Sequence, residues 1–257
     1  MTMKGIDISN YQAGLDLAKA RSAGIEFAIC KISEGRTYRD RQFDTFYAQA
    51  AACGLPIGAY VYSHATTPEA AAAEANLAMT ILDGRPLQLG IYMDIETETQ
   101  MAITKSQLTV TIHAFCRTVE AAGYRSGIYG GEYNVFTRID PADFPDSLIW
   151  IAHYGKEPAI PCDLWQKTDK GSFPDYSGPV DADDVMSERM AAIIKGVQPD
   201  PDPEPAPVPK PAFSPAVLEL QLAMALDGYW PIERCDGLKT PEFIEAFRIY
   251  SADVLSC

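Results

Sequence analysis

The chain has 257 residues, 47% hydrophobic and 22% charged, a balance that fits a globular protein with a sizeable core, as one large barrel or two smaller domains. Its 35 acidic and 21 basic residues leave a net charge of −14, which argues against nucleic acid or an anionic membrane surface as partner, since both are bound through Lys and Arg. No apolar run reaches the roughly 18 residues of a membrane span, so no membrane insertion is expected.

Met1 to Asp7 runs straight into a strand-like segment and lacks the charged and apolar regions of a signal peptide. Apolar, β-rich runs then follow at Gly5–Ser9, Phe27–Ser33, Pro56–Ser63, Leu89–Glu96, Ser126–Gly130, Leu148–Tyr154, Cys162–Lys167 and Val180–Val185. Between the early runs lie helical stretches with apolar residues three or four apart. They are Phe43 to Tyr47, Ala71–Leu82 before Gly84, and Leu108–Ala122 ending at Gly123. Strand–helix alternation predicts parallel strands with right-handed crossovers, and eight strand candidates favour a closed barrel over an open sheet. After Gly131 the spacers shorten, so the expected fold is an irregular β/α barrel with eight strands and fewer than eight helices.

From Pro199 the sequence reads P-D-P-D-P-E-P-A-P-V-P-K-P, a stiff, extended spacer. The expected division is therefore a barrel over 1–195, a linker over 196–211 and a small all-α domain over 212–257. The tail carries helical signals over Ala216–Leu226 and after Thr240-Pro241, an N-cap followed by Pro at the first helical position. Phe243, Ile244, Phe247 and Tyr250 give its last helix an apolar face. With three basic and seven acidic residues, the tail would bind a partner through shape, aromatics and hydrogen bonds rather than charge.

Six cysteines do not make a disulfide scaffold in a chain of this length. Cys30 and Cys116 read as small buried hydrophobes, while Cys235 and Cys257 are candidates to pair after export. There is no C-x-x-C, and His64, His113 and His153 are scattered, so no metal site is expected. No nucleophile elbow, phosphate loop or dinucleotide fingerprint occurs, and no cofactor is expected.

The sharpest chemical feature is Leu89-Gly-Ile-Tyr-Met-Asp94-Ile-Glu96, an apolar strand ending in two carboxylates. Alternate strand residues share a face, which puts Asp94 and Glu96 side by side with Cα atoms about 6.5–7 Å apart. At the C-terminal face of a parallel barrel, crowded carboxylates raise one another's pKa, so that one is the acid and the other stays ionised. Glycoside hydrolysis needs that division of labour. A solvated acidic strand end and a Mg²⁺ site are the competing readings. Asp7 and Asp181 lie at or within other strands. Aromatic residues gather at strand ends as well: Tyr60, Tyr62, Tyr92, Tyr129, Trp150, Tyr154 and Trp165. Sugars are bound by aromatic faces together with polar groups.

These segments resemble glycoside hydrolase family 25, the Chalaropsis-type muramidases of phage endolysins and bacterial autolysins. The resemblance spans Lys4 to Ala192. It rests on Gly5-Ile-Asp7-Ile-Ser9 with Asn10-Tyr11-Gln12, Lys31-Ile-Ser-Glu34-Gly35, Pro56-Ile-Gly-Ala-Tyr60 and Tyr92-Met-Asp94-Ile-Glu96. Leu148-Ile-Trp150-Ile-Ala152, Leu164-Trp165-Gln166 and Val180-Asp181 follow in order.

The resemblance implies Glu96 as general acid/base, Asp94 as a stabiliser of the substrate's N-acetyl group or of the oxocarbenium charge, and Asp7 and Asp181 completing the cluster. It implies Tyr60, Tyr62, Tyr129, Trp150, Tyr154 and Gln166 as substrate contacts. The substrate would be the β-1,4 bond from N-acetylmuramic acid to N-acetylglucosamine in bacterial peptidoglycan. Val61-Tyr62-Ser63-His64 departs from the more usual His-Phe-type continuation. The tail is similar to the small helical peptidoglycan-binding domain, with a packing or dimerisation appendage as the alternative. Without a signal peptide, release to the wall is expected through a phage holin or lysis. The rival functional reading is a non-catalytic wall-binding protein with a decayed site.

Overall fold

The computed structural model describes residues 2–173 and 176–196, together with 221, 224, 244, 246–249 and 251. The chain divides into two compact units, Met1–Asp200 and Pro201–Cys257.

In the first unit β1 (Lys4–Ile8), α1 (Leu17–Ser22), β2 (Phe27–Glu34), β3 (Tyr38–Arg39), α2 (Phe43–Cys53) and β4 (Ile57–Tyr62) are followed by α3 (Pro68–Leu82) and β5 (Ile91–Ile95). Then come α4 (Glu98–Ala102), α5 (Lys105–Ala121), β6 (Ser126–Gly131), β7 (Leu148–Ala152), β8 (Leu164–Phe173), β9 (Tyr176–Val185) and α6 (Glu188–Ile194). The strands pair in the order β1-β9-β8-β7-β6-β5-β4-β2, and β1 pairs with β2, closing an eight-stranded barrel. The two-residue β3 hangs on the end of β2, where Arg39 faces Ser33. Nothing in its sequence announces it.

Helix boundaries follow local chemistry. Thr67 caps α3 ahead of Pro68, and Thr104 with Gln107 forms a capping box at the start of α5. Gly54 ends α2 in the left-handed conformation. Between β6 and β7 there is only one 3-10 turn, Pro141–Asp143, and among the described residues no helix separates β7 from β8. The helix-poor second half is as expected.

One expectation fails. The last strand is not parallel: β9 runs antiparallel to both β8 and β1. The expected strands over 162–167 and 180–185 both extend into the gap between them, so β8 ends at Phe173 and β9 begins at Tyr176. Two residues join a hairpin but cannot make a parallel crossover, which needs a dozen or more.

Strand alternation sorts side chains into an outer and an inner layer. Ile6, Ala28, Cys30, Ile91 and Met93 face the helices and belong to the larger apolar cluster. Phe27, Ile29, Tyr92, Leu148, Trp150 and Leu164 fill the barrel interior. Large and small residues interlock there: a Cβ on Gly127 would lie 2.3 Å from the Tyr92 ring, and one on Gly5 would lie 2.2 Å from Phe27. Replacing Trp150, 1% exposed, by Ala would leave a core cavity costing about 3–5 kcal/mol. Cys30 and Cys116 are buried and free, as expected.

The linker over 197–211, most of the tail's expected helices and the Cys235–Cys257 pair lie outside the described residues. The described tail positions are helical, and of the four residues expected on the last helix's apolar face only Ile244 and Phe247 are among the described ones. Ala246 and Ile249 are buried, whereas Ile244 and Phe247 are 48% and 38% exposed. Among the described residues no helix is long and apolar enough to cross a membrane.

Candidate active site

Above the apolar interior, the next inward residue of nearly every strand is polar. Asp7 of β1, Lys31 of β2, Tyr60 and Tyr62 of β4, Asp94 of β5, Tyr129 of β6, Gln166 of β8 and Asp181 of β9 line one chamber of about 370 Å³. Glu96 stands just beyond the end of β5 and lines it too. All four sequence-selected acids therefore meet at the barrel mouth: Asp7 and Asp94 through period-two alternation on the parallel strands β1 and β5, Glu96 just past the end of β5, and Asp181 from the antiparallel β9.

Glu96 and Tyr129 also border a second chamber of about 460 Å³, opened by the ends of β6 and β7 and lined further by Glu132, Tyr133, Asn134, His153 and Tyr154. Tyr154, selected from the sequence, lies here rather than among the acids.

A hydrogen-bonded chain ties the two regions together. Gln166 Nε2 donates to Asp7 Oδ2 at 2.9 Å, while Gln166 Oε1 accepts from the hydroxyls of Tyr129 at 2.8 Å and Tyr154 at 3.0 Å. Gln166 is 2% exposed, so its partners are side chains rather than solvent. Trp150 is equally buried: it forms the chamber floor, packs 4.2 Å from Tyr129 between ring centroids, and donates from Nε1 to Asp183 Oδ1 at 2.8 Å. The sequence-selected Trp150 and Gln166 both line the acid chamber from buried positions, 1% and 2% exposed.

The profile of the family described as Glycosyl hydrolases family 25 matches residues 6–176, which covers β1 to the first residue of β9. The chain belongs to glycosyl hydrolases family 25. It is 30% identical over 186 residues to an autolytic lysozyme of Clostridium acetobutylicum, covering 71% of this chain and 55% of that protein. It is 28% identical over 197 residues to Lysozyme M1 of Streptomyces globisporus, covering 70% of this chain and 66% of that one. The chain thus spans less than two thirds of either relative. The solved CTP1L endolysin superposes with a TM-score of 0.66 at 26% identity, over 77% of this chain and 71% of that one.

In this family 25 barrel, burial sets the protonation of the acids. Desolvation is the first cause raising Asp94 well above the ordinary aspartate range, with the Glu96 charge second and Lys31 opposing. Glu96 keeps an exposed edge, yet burial of its carboxyl also raises its pKa, against a hydrogen bond from Tyr129 and the Lys31 charge. Crowding of the two carboxylates is therefore the lesser effect, contrary to the expectation from their spacing. Asp7 is raised by burial and then by the charges of Asp183 and Asp181. Asp181 is itself raised, again chiefly by burial. Asp94 Oδ1 is buried and has no hydrogen-bond partner among the described residues.

Three contributors give little sequence signal. Asp183, fully buried behind Asp7, is visible in the sequence only as a neighbour of Asp181. Lys31 donates to Glu34 Oε2 at 2.6 Å, and His64 Nε2 lies 3.1 Å from Glu34 Oε1. Lys31 and Glu34 would face opposite ways on a regular strand. A register shift between Lys31 and Ser33 brings them together, and bulges leave no signature in composition. Tyr133 is the third: 70% exposed, it lies in the turn after β6, where no periodicity marks it. Among the described residues, no group of three or more His, Cys, Asp or Glu is arranged to hold a metal ion.

Proposed function

We propose that this chain is a muramidase that hydrolyses the β-1,4 bond between N-acetylmuramic acid and N-acetylglucosamine in bacterial peptidoglycan. The carrying observation is the place of Glu96: a carboxyl with a raised pKa, shared by two chambers, at the rim of a mouth that holds three more acids. A general acid must stand beside the bridging oxygen, between the two sugars it separates.

Protonated Glu96 gives its proton to that oxygen as the C–O bond breaks. Positive charge then grows on the anomeric carbon and ring oxygen, and Asp181, the least buried of the three aspartates, provides the opposing negative field with Asp7 beside it. Asp94, kept neutral by burial, is a donor for the substrate's acetamido oxygen. Water oxygen then bonds to the anomeric carbon and passes its proton to ionised Glu96, which ends the cationic state and restores the acid.

The Tyr129 hydroxyl follows this cycle with its single proton. While Glu96 is protonated, its proton faces the bridging oxygen and Tyr129 donates to Gln166 Oε1. Once Glu96 is ionised, Tyr129 turns its proton to the carboxylate, and Tyr154 keeps Gln166 Oε1 satisfied.

Delivery to the wall by phage-type lysis and retention there by residues 212–257 belong to the same proposal. The likeness to an endolysin supports the first, and the Pro-rich spacer supports the second. The test is turbidity loss of purified Gram-positive walls with the liberated reducing sugar identified. N-acetylmuramic acid at the new reducing end, with activity reduced about 10²–10⁴-fold in Glu96→Gln, is the expected result. A folded Glu96→Gln protein that lyses like the parent removes Glu96 from the mechanism. A parent that binds walls without releasing reducing ends is a wall-binding protein.

A further inference from the structure

We infer that Ser63 and Gln100, neither of which lines either chamber, are positioning residues that hold the general acid Glu96 from both sides. This rests on the muramidase reading and adds to it the part of the fold that fixes the acid.

Glu96 stands between Ile95, the last residue of β5, and Thr97, the N-cap of α4. The chain is tied down on each side of it. On the strand side, the carbonyl of Asp94 accepts from the N–H of Ser63 at 3.0 Å. On the helix side, Gln100 Oε1 accepts from the Thr97 N–H at 3.1 Å and from Thr97 Oγ1 at 2.8 Å. Gln100 Nε2 then crosses to the loop after β4, donating to Ser63 Oγ at 3.1 Å and to the Ala65 carbonyl at 3.4 Å. Ser63 therefore reaches the backbone before Glu96 directly and the backbone after it through Gln100.

A capping box asks only for the acceptor end of its Gln. The box at the start of α5, Thr104 with Gln107, sits on exposed residues. Gln100 is instead fully buried, and burial of an amide is costly unless its N–H groups find partners. Here they find the neighbouring strand end, which makes a local cap into a cross-link between the loops after β4 and β5.

The cross-link has little freedom. Ser63 Oγ donates to Glu74 Oε2 at 2.6 Å and accepts from Gln100 Nε2 and from the Ala65 N–H at 3.1 Å, so its one donor and two acceptor sites are all used. The other Glu74 oxygen, Oε1, accepts from the His64 N–H at 3.0 Å. Ser63 and Glu74 are buried, and Glu74 belongs to α3, so the network is anchored in the helical layer outside the barrel. Glu96 must stand beside one oxygen between two sugars, and a misplacement of an ångström is worth about a hundredfold in rate.

The experiment measures kcat and KM on soluble, uncross-linked glycan strands for the full-length protein and for Ser63→Ala, Gln100→Ala and Gln107→Ala. Gln107→Ala removes a like cap with no link to Ser63, so it should lower Tm and leave kcat unchanged. Ser63→Ala and Gln100→Ala should lower kcat about tenfold to a hundredfold with KM little altered, because a displaced acid is missed in the transition state and not in binding. Ser63→Ala keeps the cap of α4 and carries the test if Gln100→Ala does not fold. A second substrate separates a displaced acid from a damaged site. The 2,4-dinitrophenyl β-glycoside of the N-acetylglucosaminyl–N-acetylmuramic acid disaccharide has a leaving group that departs without a proton, so most of the loss should vanish on it. Variants that keep the parent's kcat on strands, or that lose as much on the aryl glycoside, overturn the assignment. NMR amide exchange supplies a readout without turnover. Ser63→Ala should speed exchange at the Thr97 N–H, which Ser63 reaches only through Gln100, and unchanged exchange there overturns the coupling. A parent that releases no reducing ends fails the muramidase reading itself, and exchange at Thr97 then still decides whether Ser63 governs the turn that carries Glu96.

Discussion

Gln166 donates to Asp7 from one end of its amide and accepts from Tyr129 at the other, so a single buried side chain couples the first strand's acid to the tyrosine beside Glu96. Gln166→Glu should remove the donor and set a second carboxylate against Asp7, an acid already crowded by Asp181 and Asp183. Expected is a loss of kcat of at least tenfold with a lower Tm at pH 8, partly recovered at pH 5, where the new carboxyl is protonated and can donate. Melting curves and rates at the two pH values check this. An indifferent variant would mean that the amide is mere filler.

The pH–rate profile should carry the Lys31 charge. In the proposed mechanism the active form carries protonated Glu96, whose pKa is raised by burial and held down by the Tyr129 hydrogen bond and the Lys31 charge. Activity is lost as pH climbs through that pKa, so the alkaline limb lies above the ordinary glutamate range. Lys31→Met removes a cation that favours the ionised form, which moves the limb to higher pH. A limb displaced downward would contradict the geometry.

Asp183 should make the fold less stable at neutral pH than in mild acid. Burial raises its pKa, so the folded state binds a proton that the unfolded state has released. Stability therefore falls as pH rises from the ordinary aspartate range to the raised value, by about 1.4 kcal/mol per pH unit across that window. Asp183→Asn keeps an oxygen for Trp150 Nε1 and cannot ionise. Its denaturant midpoint should exceed the parent's at pH 8, with the difference shrinking toward pH 4.

Residues 1–200 alone should cut soluble strands as fast as the full chain but lyse intact sacculi more slowly, because a tethered binding unit raises local concentration without touching the chemistry. Comparing both substrates for both lengths, with pull-down of residues 212–257 on purified walls, decides it. Equal sacculus lysis and no pull-down would leave the tail as a packing or dimerisation appendage.

The barrel and its acids were legible because both follow from a period of two. Gly5-Ile-Asp7, Tyr60-Val-Tyr62 and Tyr92-Met-Asp94 each carry an apolar layer residue, a helix-facing residue and then a mouth residue, and that pattern survives without coordinates. Direction is less well encoded: β9 has the same composition whichever way it runs, and only the length of the turn after Phe173 decides. Burial was harder still. Trp150 and Gln166 sit in the same alternation as Tyr62 and Asp181, but a lower place in the stack leaves them 1% and 2% exposed. The second chamber comes from loops after β6 and β7, where no periodicity applies, so Tyr133 and the Glu132–His153 pair had no pattern to reveal them.

The antiparallel closure has a consequence for when activity appears. Asp7 lies opposite Asp181 across the β1–β9 seam, and its other partner, Gln166, is 159 positions away in the chain. Pairings across this seam are the most distant in the described barrel, with Lys4 facing Asp184, and the costliest in loop entropy. The proposed chemistry is therefore absent from a nascent or partly folded chain and arrives only when the first strand meets the last, which acts as a safety catch during synthesis.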